Sequence, residues 1–469
     1  MGTTEKLARF AAETRPDGIP GAVLEQAKLR FLDTLGVMVA GSRHPSVVAA
    51  LETAQLLGGS TQACIVGYPD RTSVELAGFV NGVAAHALEY DDYTRMVTHL
   101  SAAMVPGTLA LAEYTGATGK TLLESFAVGF QVASQIAKGL GAATFDRGFH
   151  PPMLLGAFGV AAAGARLMGL DAMGTRMAFG IVASEASGIR KNVGSMGKAF
   201  HVGHGARCGI FAVLLAASGF KVDPDALEGI DDGVAGHVRF GLAETLNGAG
   251  NYDLAVMEEG LGSVWELTRN STLVRLHPGV TALASAIDGM IDLSVEHDLT
   301  ADQVDHIVLE CTAQVAKIGS YREATDGHKA RFCLPYSMAV ALIDRKAGLG
   351  QYADERVKLP DVQDLMRRVQ VVVPDDMKHV LGAWTPEMNW GLMRLRIELK
   401  NGRSLAVARS SARGWPEHPA GWDDIAEKFK DCCSELLLPD QVDAGMEIIR
   451  TLEQQKHVAP LLEALRVAG

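Results

Sequence analysis

Cysteine is scarce in this chain. Its six thiols in 469 residues, Cys64, Cys208, Cys311, Cys333, Cys432 and Cys433, show no C-x-x-C and no repeated spacing. That excludes a disulfide scaffold and gives no sign of a structural zinc or iron–sulfur site. The adjacent Cys432 and Cys433 read as buried helix residues. A basic excess is missing as well. The 43 Lys and Arg are outnumbered by 55 Asp and Glu, for a formal net charge of −12. A nucleic-acid partner would normally require a basic domain, so none is expected. No run of about eighteen uncharged, strongly apolar residues stands out, so no membrane partner is expected either. No secretory leader opens the sequence, since Thr4-Glu5-Lys6 begins a polar helix, and a cytoplasmic protein is expected. There is no G-x-S-x-G, no Walker loop and no H-E-x-x-H, and the glycine-rich stretches do not follow strands as G-x-G-x-x-G.

Apolar residues are plentiful, at 48%, yet aromatics are only 6% and glycine numbers 51. That mixture suits closely packed helices with small residues at their crossings. Residues 3–58 read as helices, with Leu24, Ala27, Phe31, Leu32 and Leu35 on one face. Residues 73–90 and 102–141 continue the pattern. MLLGAFGVAAAGARLMGL (153–170) and GIFAVLLAASGF (209–220) are apolar nearly all round, as buried central helices are. The texture changes after about residue 265. VDHIVLECT (304–312) and LMRLRIELK (392–400) alternate at the strand period, and VQVVVP (369–374) is a short β-branched run. Asn401-Gly402 is a strong hairpin signal. Pro278–Leu293 and Pro335–Asp344 read as helices, and the pattern is helical again from Asp423. The fold class expected is mainly α with α+β. A large helical domain spans 1–265, with 411–469 returning to it, and a smaller α+β lid spans 266–410.

Chemistry gathers in three places. In RKNVGSMGKAFHVGHGARC (190–208), Lys198, His201, His204 and Arg207 recur at i+3, behind Arg190 and Lys191. The first three of the series would share one broad helix face. Cations beside a glycine-rich turn suit a small carboxylate, with Lys or His free to move protons. In HALEYDDYTRMVTHLS (86–101), Asp91 and Asp92 are adjacent and His99 follows seven residues after Asp92. Adjacent carboxylates point apart, so one could orient a His or Lys while the other caps a helix. Asp91, Asp92 and His99 could also supply three metal ligands, though a metal site needs more. In DRGFHPPMLLGAFG (146–159), His150 precedes two prolines and a buried helix, whose N-terminus lowers the pKa of a nearby His. Weaker candidates are Arg275 and His277 at the start of the second domain, and Tyr321 with Arg322 in a polar loop. His328-Lys329 reads as a solvated face.

In order along the chain stand L-D-T-L-G (32–36), H-A-L-x-Y-D-D (86–92), G-x-H-P before G-A-F-G-x-A-A-A (148–163), A-S-G (186–188), G-S-M-x-K-x-x-H-x-G (194–203) and F-x-L-P-Y (332–336). This order resembles the MmgE/PrpD family, which includes 2-methylcitrate dehydratase, cis-aconitate decarboxylase and iminodisuccinate epimerase. The resemblance covers about residues 5–450. It implies a two-domain homodimer with a cleft between the domains, and no required redox cofactor or iron–sulfur cluster; no cofactor and no metal are expected. It carries site roles onto Asp91 or Asp92, His99, His150, Lys198 and His201. The sequence departs from the family's usual pattern where Arg275 replaces a lysine and where Val280 and Ala284 replace polar residues. Arginine keeps the charge but does not serve readily as a base.

The family's reactions share a carbanion formed beside a carboxylate. The expected function is a cofactor-independent lyase acting on a small di- or tricarboxylate by dehydration or decarboxylation. The alternatives are an epimerase or isomerase of a dicarboxylate and a non-catalytic dicarboxylate binder. His99, His150, Lys198 and His201 are the catalytic candidates. Asp91, Asp92, Arg190, Lys191, Arg275, His277 and Tyr321 are the substrate-binding candidates.

Overall fold

The computed structural model describes residues 1–94, 98–185, 187–230, 239–269, 272–378 and 391–467. The chain forms two compact units, Met1–Thr272 with Ile425–Gly469, and Leu273–Asp424. The architecture is mainly α, with an α+β second unit.

In chain order the first unit holds α1 (Thr3–Glu13), α2 (Gly21–Gly41), α3 (Pro45–Leu57), α4 (Val74–His86), α5 (Leu100–Thr115) and α6 (Gly119–Leu140). There follow α7 (Ala143–Asp146), α8 (Pro151–Leu167), α9 (Ala172–Glu185), α10 (Met196–Ala217) and α11 (Leu242–Asn247). The helix Trp422–Cys433 and two further helices bring the C-terminus back to it. Helix α8 is buried on every side from Pro151 to Ala165, as its all-round apolar sequence requires. Helix α10 is long and apolar enough to cross a membrane by length and composition, which no uninterrupted apolar run had suggested. Yet 67% of that stretch is packed inside the unit, as in a central core helix.

Glycines set how close α10 comes to its neighbours. A Cβ on Gly203 would lie 2.4 Å from the Phe79 carbonyl oxygen, and one on Gly205 2.6 Å from that of Met153. Backbone therefore meets backbone between α4 and α10 and between α8 and α10. This brings the C-terminal end of α4, the N-terminal end of α8 and the first half of α10 to one place. Gly203→Ala is expected to lower stability by about 1–3 kcal/mol in urea denaturation, because the obstacle is a carbonyl that cannot rotate away. Gly21→Ala, where the Cβ meets nothing within 4 Å, is the control and should change little.

The second unit carries a four-stranded sheet ordered Ser404–Arg409, Met393–Leu399, Val304–Cys311, Val369–Val372. The first three strands pair antiparallel and the last runs parallel to Val304–Cys311. Met393, Leu395, Ile397 and Leu399 alternate inward, as the sequence period indicates. Gly402, at φ +84°, makes the tight turn of the Asn401-Gly402 hairpin. Helices Ala284–Glu296 and Leu334–Asp344 pack with the sheet into one core. The helix expected over Pro278–Leu293 begins later, after a 3-10 turn at Thr281–Leu283. Gly279 adopts φ +103°, and a Cβ there would sit 2.6 Å from the Arg331 carbonyl oxygen. The chain therefore turns sharply before the helix can start. All six cysteines are free, and Cys432 and Cys433 are buried at the end of a helix.

Candidate active site

Helix α4 ends at His86, and the chain reverses through Glu89, a non-glycine residue at φ +54°. The reversal places Asp91 Oδ2 2.9 Å from His86 Nδ1 and 2.9 Å from His99 Nδ1. His99 Nδ1 also lies 2.8 Å from the Asp92 carbonyl oxygen. The two imidazoles meet edge to face with centroids 4.6 Å apart. Asp91 thus fixes two histidines at once. Asp92 points elsewhere, accepting from the Ser101 hydroxyl and lying 3.8 Å from Arg30 Nη1. The adjacent carboxylates do diverge, but among the described residues Asp92 bonds a side chain and caps no helix N–H. The residue before α5 is His99 itself, without a side-chain cap.

Burial disfavours both carboxylates as anions. At Asp91 the two histidines more than offset this and hold the carboxyl well below its ordinary range. At Asp92 burial prevails over Arg30, helped by the anions of Asp33 and Asp91, and pushes the carboxyl up to about 7.

His150 stands just before α8, in a loop that pairs with residues 188–190. His150 N–H donates to the Gly188 carbonyl and Arg190 N–H to the Gly148 carbonyl, both at 2.8 Å. The imidazole does not cap the helix. It turns to His201 on α10, with Nδ1 to Nδ1 at 3.1 Å, so one neutral ring donates to the other. Its centroid is 6.3 Å from that of His86. Burial first, then the charge of Lys198 and the neighbouring histidines, push His150 far below the ordinary histidine range. Burial lowers His201 too. Lys198 pairs with Glu89, the residue at the reversal. The structure thus gathers His86, Asp91, His99, His150 and His201, with the charge of Lys198 felt at His150.

A stability consequence follows. His150 keeps a folded pKa below its ordinary value of 6.5, so below that pH the unfolded chain takes up a proton that the folded chain refuses. Its share of stability is present above pH 6.5 and is lost as pH falls. Urea denaturation from pH 7 to 5 should show His150→Asn losing stability less steeply than the parent, by about 1.4 kcal/mol per pH unit. Equal slopes would contradict this environment for His150.

Other expected site residues are placed differently. The i+3 series does not share one face, because each step turns back about 60° around a helix. Lys198 and His201 face the cluster just described. His204 instead approaches Cys208, with Nε2 to Sγ at 3.5 Å, and Arg207 Nε lies 3.5 Å from Glu75. Arg190 donates to the Phe145 carbonyl at 2.9 Å and stacks on that ring, while Lys191 is exposed on a single 3-10 turn. Ala186 of the A-S-G motif lies outside the described residues.

The second unit holds the remaining three. Arg275 is buried, with Nη1 donating to the Gly279 carbonyl at 3.3 Å. His277 has both ring nitrogens engaged, by Asp288 at 3.0 Å and the Ala347 carbonyl at 3.1 Å. Arg413 holds the same Asp288 oxygen, so His277 serves the packing of its own unit rather than presenting a free nitrogen. Tyr321 is exposed in its loop.

Sequence reasoning missed a buried layer beneath the site. Lys428 donates to Asp33 at 2.7 Å and to the Tyr90 carbonyl at 2.6 Å, and lies 4.0 Å from the Tyr90 ring centroid. Lys428, Asp33 and Tyr90 thus support the segment bearing Asp91 and Asp92, and Arg30 joins them through Asp92. His86 opens the H-A-L-x-Y-D-D motif, where the sequence alone does not mark it as a site residue. Its place on a buried helix one turn and a half before Asp91 was the available signal.

Among the described residues, two groups bring metal-type donor atoms within 4.8 Å of one another: His86, Asp91 and His99, and Glu185, His204 and Cys208. His86, not Asp92, completes the first group. Its distances are those of imidazole hydrogen bonds to one carboxylate oxygen, an arrangement that orients histidines. His86 Nε2 and Asp91 Oδ1 are buried without a partner among the described residues and keep capacity for a bound molecule.

Comparison with known proteins agrees with this arrangement of motifs. The model of the MmgE/PrpD N-terminal domain matches residues 5–239, and that of the C-terminal domain matches residues 277–454. The chain is 26% identical to the cis-aconitate decarboxylase of Homo sapiens over 99% of this chain and 94% of that protein. It is 25% identical to the cis-aconitate decarboxylase of Aspergillus terreus over 99% of this chain and 96% of that one.

Proposed function

The chain belongs to the MmgE/PrpD family, and from that premise we propose that it is a cofactor-independent lyase acting on a small polycarboxylate. Decarboxylation of an unsaturated tricarboxylate such as cis-aconitate is the first reading, because the curated relatives carry that activity in their names. The observation that carries the proposal is the buried, neutral His150–His201 pair beside Lys198 and the Asp91-braced histidines.

In such a decarboxylation the bond between carbon and the departing carboxylate breaks and CO2 leaves. The electron pair moves through the adjacent double bond, and a proton is added at the far carbon. The protein must hold the carboxylates, stabilise charge developing beside them and deliver that proton. Lys198 supplies positive charge for the carboxylates. Their negative charge counters the burial and the Lys198 charge that keep His150 neutral, so the imidazole pair takes up a proton as substrate binds and passes it to carbon. Asp91 holds His86 and His99 in fixed orientations throughout.

The test is incubation of the purified protein with citrate, 2-methylcitrate, cis-aconitate, malate derivatives and iminodisuccinate, following CO2 and unsaturated products. Either product from one of these supports a lyase and names its substrate class. Solvent exchange with inversion and no net loss would make the protein an epimerase. Binding without turnover would make it a carboxylate binder. Either of the last two results overturns the proposal.

A further inference from the structure

We propose that Glu185, His204 and Cys208 form a binding site for a zinc-like divalent cation, distinct from the His150 cluster. His204 and Cys208 are one turn apart on the same face of α10, and Glu185 is the last residue of α9. All three donor atoms lie within 4.8 Å of one another. The 3.5 Å between His204 Nε2 and Cys208 Sγ matches a tetrahedral ion, since bonds of about 2.0–2.1 Å to nitrogen and about 2.3 Å to sulfur set those atoms about 3.5 Å apart.

One nitrogen, one sulfur and one oxygen donor favour Zn2+ or Co2+ over Mg2+ or Ca2+. Cys208 is buried while His204 and Glu185 are half-buried, which leaves a path for the ion and a fourth position for water. The Phe200 ring stacks on His204 at 5.2 Å with 15° between planes, fixing the imidazole. The charge of Arg207, which acts on His204 and Cys208, is offset by Glu75. Burial and the Glu185 carboxylate keep the Cys208 thiol protonated in the ion-free protein, and a divalent ion reverses that preference. An ion here ties the end of α9 to the middle of α10, one turn beyond His201. Its role is to hold α10 in place, so it stands apart from the proposed reaction.

The experiment uses the full chain, dialysed against chelator and titrated with Co2+ alone. One Co2+ per chain with a thiolate-to-cobalt charge-transfer band is expected. Cys208→Ser should abolish the band and His204→Gln should weaken it. Glu185→Gln, at a half-buried position, should weaken binding about tenfold or more. His86→Gln should leave the band intact. A wild-type spectrum without the band at one equivalent of Co2+, or a band that survives Cys208→Ser, would overturn the proposal.

Discussion

Replacing His150 by alanine lowers turnover by about a hundredfold or more, the loss expected for a group that moves a proton in the transition state. The partner experiment, Lys198→Ala, costs turnover on the same scale and leaves a second mark. Lys198 is, after burial, the largest cause of the low proton affinity of His150. Without that cation the imidazole binds a proton more readily, so the alkaline limb of the kcat/KM profile, where the proton donor is lost, moves to higher pH. A lysine that only fills space would not move that limb. Steady-state kinetics from pH 5 to 9 on the substrate found in the panel provide both readouts. Full turnover in both variants would place the chemistry elsewhere.

Lys428→Met is expected to cost about 3–5 kcal/mol of stability, the range for removing one partner of a buried ion pair. Lys428 is 4% exposed and Asp33 1% exposed. Truncation leaves the Asp33 carboxylate and the Tyr90 carbonyl without the ammonium they share. Burial already raises the Asp33 carboxyl despite Lys428. In the variant it rises further, and a group with a raised folded pKa loses its stability contribution as pH increases. The deficit should therefore be larger at pH 8 than at pH 5 in urea denaturation. Asp33→Asn combined with Lys428→Met should recover much of the loss, because the two residues act as one unit. A deficit below about 1 kcal/mol would show that the pair does not support the site.

The fold was legible wherever one residue's neighbours decide its burial. Strand 393–399 alternates because a sheet face is covered, and α8 is apolar all round because it is enclosed. The family resemblance pointed to His99, His150, Lys198 and His201, and the structure gathers them with Asp91. Long-range pairing was not legible. Lys428 sits on an amphipathic helix, where a lysine reads as solvent-facing, and its partner Asp33 is 395 positions away. Spacing misled at His204, since three residues per step drifts around a helix of about 3.6 residues per turn. His277 reads as a substrate-binding candidate in the sequence, where its contacts with Asp288 and the Ala347 carbonyl are not visible.

The most direct test of the central claim is proton NMR of the wild-type protein with cis-aconitate in D2O. The account predicts loss of one carboxylate as CO2 and an unsaturated dicarboxylate carrying one solvent deuteron at the carbon that receives the proton, with the signal suppressed about a hundredfold or more in His150→Ala. A product without solvent deuterium, or one formed as fast by His150→Ala, would contradict proton delivery by the buried histidine pair.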